Sequence, residues 1–342
     1  MIAAPGRTPL QPALAAGRLA TGLLLLALAG CTALPPAPQG GVVQLVHVPA
    51  WAQDELQCGP TALASVLAAS GVAVTPDALK PDLYIPARGG SLQVELIAQA
   101  RRRGRVPLLI EPTEAALVAA LRQGQPVLLL LNLGLRSWPT WHYAALTGYD
   151  PAHGYVLNAG QAQAETMGRD RFLRRWDGAG RWGLSLHAPD APPAYTSPAR
   201  WIAAAAPLER DSPALAMTAY RAAVARWPDA ALAWAALGGG AAAAGDNPAA
   251  LAALRRARSL APDDAAIANN LASVALPISC VDEARRALAG IDPVIQPAAV
   301  AAALITTASE IAAAGPDSCR DDSTSGPAEP ALPDAAGGDS RP

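Results

Sequence analysis

Lysine is nearly missing from this chain. Lys80 stands alone among 342 residues, and arginine carries the rest of the positive charge. The 26 basic and 28 acidic residues leave a net charge of −2, so no basic excess marks a nucleic-acid partner. The four cysteines include no Cys-x-x-Cys pair and no close Cys/His cluster, which argues against a zinc site. No Walker-type phosphate loop is present, so neither a metal nor a nucleotide cofactor is expected. Aromatic residues are scarce at 4%, while apolar residues reach 51% through alanine. The length suffices for two domains.

The N-terminal residues carry an export pattern. Arg7 and Arg18 precede a short apolar stretch from Leu19 to Ala29. That stretch is too short for a lasting bilayer span and reads as a signal peptide over residues 1–30. It ends in Leu28-Ala29-Gly30-Cys31, which resembles the lipobox of bacterial lipoproteins. The resemblance implies cleavage before Cys31 and acylation of its thiol, giving a membrane lipid anchor. Thr32 rather than Asp follows, which in Gram-negative bacteria implies the outer membrane, facing the periplasm. The alternative is an ordinary secretory peptide with a coincidental cysteine. Residues 31–41 are Pro-rich and read as a tether. In an oxidising envelope, Cys280 and Cys319 are free to form a bridge.

The chemistry concentrates at Gln57-Cys58-Gly59-Pro60, directly before the apolar run Thr61–Leu67. A thiol in the first turn of a helix lies near the positive dipole end, which favours thiolate. Far downstream, His142 opens the strand-like segment Trp141–Leu146. Cys58 is then a candidate nucleophile and His142 its base. Gln57 supplies an amide N–H beside the Cys58 backbone N–H, two donors for an oxyanion hole. This layout resembles papain-like cysteine peptidases. A lone cysteine before a helix is also commonly a small buried hydrophobe, and the bland reading is a vestigial site.

Around these residues the pattern predicts an α+β domain over 42–190, helices first and an antiparallel sheet after. Helices are expected over Pro60–Ala69, from Thr75, over Leu92–Arg103 with Ser91 as cap, and over Thr113–Arg122. Strands are expected over Val42–Val48, Val106–Ile110 and Pro126–Leu133. The last is an unbroken apolar run suited to a strand covered on both faces. Tyr143–Tyr149 and Gly154–Leu157 form a hairpin, and Phe172–Trp176 and Trp182–Leu186 close the domain. Trp51, Trp138 and Trp141 near the candidate residues read as packing groups with one exposed face.

The stretches Gln57–Leu63, Gly90–Leu96, Gly124–Leu128 and Trp141–Tyr143 together resemble the bacteriocin-processing, double-glycine leader cysteine peptidases. More closely, the segment is similar to stand-alone, lipoprotein-attached relatives that carry tetratricopeptide repeats. The resemblance implies a papain-like fold with Cys58, His142 and Gln57 in the roles just given. It also implies an Asp or Asn on the strand after His142, and Asn158 fills that place. Asp150, in the turn Tyr149-Asp150-Pro151, is the rival.

After a Pro-rich boundary at 188–198, residues 200–314 turn helical. Pro228 and Pro262 lie 34 positions apart, the tetratricopeptide period. A second unit ends at Pro293, three residues short. Two such units are fewer than the three usually needed alone, so packing on the first domain or on a protein partner is expected. Residues 315–342 read as a disordered tail.

The resulting expectation is an envelope lipoprotein cysteine peptidase acting on a peptide or protein substrate, with the repeats binding protein. A catalytically retired adaptor and an acyl or amine transferase with the same residues remain open.

Overall fold

The computed structural model describes residues 36–53 and 57–319. The signal segment, Cys31 and residues 320–342 lie outside the described residues. From Gly40 onward the described residues belong to one unit, in which a sheet layer continues into a run of helices.

The elements are β1 (Val43–Gln44), α1 (Cys58–Ala69), α2 (Pro76–Leu83), α3 (Gln93–Arg102), β2 (Val106–Leu109) and α4 (Glu114–Arg122). They continue with β3 (Val127–Asn132), β4 (Trp141–Asp150), β5 (Gly154–Asn158), β6 (Glu165–Met167), α5 (Arg169–Asp177) and β7 (Gly183–His187). The sheet runs β2-β7-β3-β4-β5-β6, with β1 added on β4, and every pairing is antiparallel.

Strand alternation divides the sheet between two cores. Leu128, Tyr143, Ala145 and Leu184 face α1 through α3, where Leu63, Leu67 and Leu96 meet them. Leu129, Leu131, Ala144 and Leu146 face α4 and α5, against Leu117, Phe172 and Trp176. This double cover explains why β3 is apolar on both faces. Thr75 and Thr113 cap α2 and α4 as their types favour, accepting from Ala78 N at 3.3 Å and Ala116 N at 3.2 Å. Ser91 does not cap α3 as expected. Leu92 occupies the cap position, and the Ser91 hydroxyl is buried without a hydrogen-bond partner.

Beyond the sheet come α6 (Pro198–Ala205), α7 (Leu208–Asp211), α8 (Pro213–Arg226), α9 (Ala231–Ala243), α10 (Asn247–Leu260), α11 (Ala265–Ala275), α12 (Val281–Leu288) and α13 (Ala298–Ala313). Trp201, Tyr220 and Val224 share a core with Val106 of β2, so these helices pack on the sheet edge. Gly238 lets α9 and α10 approach closely: a Cβ there would lie 2.6 Å from Leu254 Cγ. The 34-residue spacing therefore marks helical hairpins. The second hairpin is shortened in both helices, to 11 and 8 residues, where the sequence suggested trimming of its first helix or turn. Pro277 ends α11 in a short 3-10 turn, and Ser279 reverses the chain with φ +61°.

Residues 315–319, expected as the start of a disordered tail, run back onto α12. Asp317 accepts from Asp282 N at 3.1 Å, and Cys319 bonds Cys280. Closing a loop of 39 residues restricts the unfolded chain. Reduction is expected to cost about 2–4 kcal/mol, read as a lower urea midpoint with reductant present. An unchanged midpoint would show that the bridge does no work.

His187, at the end of β7, is buried beneath α6. Its Nε2 lies 2.9 Å from Ser185 Oγ and 3.1 Å from the Tyr195 hydroxyl, with Trp201 edge-on. Burial pushes its pKa down to about 4. Below about pH 6.5 the unfolded imidazole takes up a proton that the folded one refuses. The stability present above pH 6.5 is thus lost as pH falls towards 4, by about 3 kcal/mol. Urea unfolding at pH 7, 5.5 and 4.5 should show this slope flattened in His187→Asn, and equal slopes would refute it.

Candidate active site

Cys58 begins α1, a helix whose sequence CGPTALASVLAA buries every residue from Gly59 to Leu67. Pro60 is accepted because first-turn N–H groups need no helical partner. Gly59 is demanded by space: a Cβ there would stand 2.4 Å from Ser91 Oγ. Gln57, buried at 7% exposure, precedes the helix, and its carbonyl accepts from Thr61 N at 3.1 Å.

The Cys58 thiol packs within the α1 face of the sheet and faces the backbone N–H of Tyr143, the residue after His142. Burial pushes its pKa up, against the N–H groups of Tyr143, Gly59 and Cys58 that draw it down. The helix-terminal amides expected to favour thiolate are there, but loss of solvent outweighs them. The resting side chain is a neutral thiol.

His142 is the second residue of β4 and pairs with Leu131. Because Tyr143 faces α1, His142 faces the other way. Its ring lines a cavity of about 210 Å³ with Gln53, Leu131, Ala159, Glu165 and Arg175. Its Nε2 lies 3.2 Å from the Ala159 carbonyl, to which the protonated nitrogen donates. Burial lowers its pKa; the Ala159 carbonyl and Glu165 oppose this, and Arg175 adds to it. The imidazole is neutral.

Asn158 ends β5, one residue before that carbonyl. Its Nδ2 donates to Val48 O at 3.3 Å and Pro49 O at 3.0 Å. Asp150 sits at the opposite end of β4, about 26 Å along the strand from His142. There it accepts from Ala152 N at 2.8 Å and meets His153 Nδ1 at 2.6 Å, as a turn residue does. The structure thus brings the Cys58 thiol to the peptide next to His142, and the His142 ring to the residue next to Asn158. The three side chains do not hydrogen-bond one another.

Sequence reading missed the Tyr143 amide and the Ala159 carbonyl, since backbone groups leave no mark in residue type. It also missed Glu165 and Arg175, which lie on elements without a motif. Trp138 and Trp141 project from the β3–β4 hairpin at 81% and 53% exposure, whereas Trp51 is half-buried against the α1 core.

No family model and no curated protein matches this chain. Among solved structures it is similar to the peptidase domain of Streptococcus ComA, a bifunctional ABC transporter involved in a quorum-sensing pathway. The identity is 18% over 42% of this chain and 99% of that one, with TM-score 0.35. It is also similar to a double-glycine-motif protease from an AMS/PCAT transporter in complex with its leader peptide. Here the identity is 21% over 45% of this chain and 97% of that one, with TM-score 0.32.

Proposed function

We propose that the protein is a cysteine peptidase of the bacterial cell envelope, held by lipid on Cys31, with tetratricopeptide-like hairpins over 200–314 that bind protein. One observation carries the reading: the Cys58 thiol, at the start of a buried helix, lies against the amide of the residue after His142. Cys58 attacks a peptide carbonyl, and His142 takes the thiol proton and later passes it to the leaving amine. Gln57 and the Cys58 N–H hold the oxyanion. The reading requires the His142 ring to leave the Ala159 carbonyl and turn to the thiol when substrate binds. Such contacts commonly tighten only when substrate is bound. The Cys280–Cys319 bridge supports an oxidising compartment.

The placement of the imidazole on the Ala159 carbonyl favours a second reading, a peptidase fold retained as a binding adaptor. Labelling of Cys58 by an electrophile between pH 5 and pH 9, with His142→Ala as control, separates the two. Fast labelling below the ordinary thiol pKa of about 8.5, lost in the control, supports the peptidase. Labelling that rises only above that pKa, unchanged in the control, supports the adaptor.

A further inference from the structure

We infer that Asn158 acts on the site through the strap Val48–Gln53, whose backbone it fastens, rather than through the imidazole of His142. The inference rests on the reading of Cys58 and His142 given above, but its main readout does not depend on catalysis.

The strap is the segment that leads into Gln57 and Cys58. Asn158 is buried at 5% exposure beside it. Both groups facing its amide, Val48 O and Pro49 O, are carbonyl oxygens, which only accept. The nitrogen must therefore face them, and its two N–H groups are directed to the strap. A second fastening lies two residues on, where Gly160 O accepts from Gln53 N at 3.1 Å. Between them Ala159 O holds the His142 ring. Three successive residues at the end of β5 thus grip the strap, the imidazole and the strap again. By this inference the register of the strap, which precedes Gln57 and Cys58 in the chain, sets how the oxyanion donors are presented.

The two roles make opposite demands on residue type. A carboxylate orients an imidazole at least as well as an amide does. It cannot serve the strap, because it would set acceptors against the carbonyl oxygens of Val48 and Pro49, which need a donor. Asn158→Asp therefore separates the roles, with Asn158→Ala as reference.

The experiment is hydrogen exchange at the Gln53 amide, together with the labelling rate of Cys58. The Ile110 amide, which donates to Gly183 O at 2.9 Å, serves as the control for an intact fold. In Asn158→Ala, Gln53 protection is expected to fall about tenfold, the loss of roughly one hydrogen bond. In Asn158→Asp it falls as far or further, and Cys58 labelling changes with it. Protection returns as pH is lowered, since the protonated acid regains one donor. Gly160→Ala tests the strap without touching Asn158 or His142. A Cβ there would lie 2.2 Å from Gln53 Cδ at a φ of +90°, so Gln53 protection should fall as well. Asn158→Asp with wild-type protection and wild-type labelling would overturn the inference. So would a Gly160→Ala variant that loosens Gln53 and leaves Cys58 labelling unchanged. Absence of peptide turnover in the wild type would count against the peptidase reading alone, because the exchange ranking stands without it.

Discussion

Cys58→Ala is expected to lower peptide turnover by about 10⁴-fold or more while the protein stays folded. The fold should hold because the change removes one sulfur atom from a half-buried position at a helix start, and the backbone N–H groups of Tyr143, Gly59 and Cys58 lose only a weak acceptor. His142→Ala should cost nearly as much, and the double variant no more than either alone. A nucleophile and its base work as one unit, so removing the second part finds nothing left to lose. The pH profile carries a further sign. Burial lowers the His142 pKa, so the imidazole stays a free base to lower pH than an ordinary histidine. The acid limb of kcat/KM should therefore lie below about pH 6.5. Burial also raises the thiol pKa, so the proposed peptidase needs the thiol proton to pass to His142 during the reaction. Losses that add in the double variant, or an acid limb above 6.5, would count against the pairing.

Where packing leaves a periodic signal, the chain was readable. The run Val127–Leu131 announced a strand covered on both faces, and the apolar residues after Pro60 announced α1. The 34-residue interval between prolines announced helical hairpins. Short elements with mixed surroundings were not readable. In β6 only Met167 of three residues is buried, so no alternation forms. The Pro-rich stretch that suggested a boundary leads into α6, whose Trp201 joins the core of the sheet edge. At the site, residue types pointed to Cys58, His142 and Asn158, but not to what each one touches. The thiol pKa turns on burial, and burial depends on Tyr143, Trp182 and other residues far away in sequence. The partners of Asn158 are carbonyls 109 and 110 residues upstream, which no local pattern encodes.

The cavity beside His142 depends on a buried charge cluster, and breaking it should cost the most stability. Glu114, in the first turn of α4, is 7% exposed. Arg169, at the start of α5, donates to both its oxygens, Nε at 2.9 Å and Nη2 at 2.5 Å. Tyr155 of β5 donates to the same carboxylate at 2.6 Å. The bidentate carboxylate holds the Arg169 pKa up, and burial with the same carboxylate pushes the Tyr155 pKa up. Arg169→Ala leaves a carboxylate out of water with a phenol as its remaining partner from this cluster. The expected loss is about 3–5 kcal/mol in urea unfolding, because an unmatched buried charge costs more than a matched pair contributes. Replacing both charges, Glu114→Leu with Arg169→Met, should recover part of that loss, since the apolar pair needs no partner while the buried Tyr155 hydroxyl loses its acceptor. A double variant as unstable as the single one would show that the charges themselves stabilise the fold. The consequence reaches the site through geometry. Tyr155 stacks on Phe172 at 4.0 Å and so ties β5 to α5. The same strand ends in Asn158 and leads to Ala159, and the same helix carries Arg175 into the cavity. Arg169→Ala should therefore also speed exchange at Gln53, because the strand end that grips the strap is anchored through this cluster.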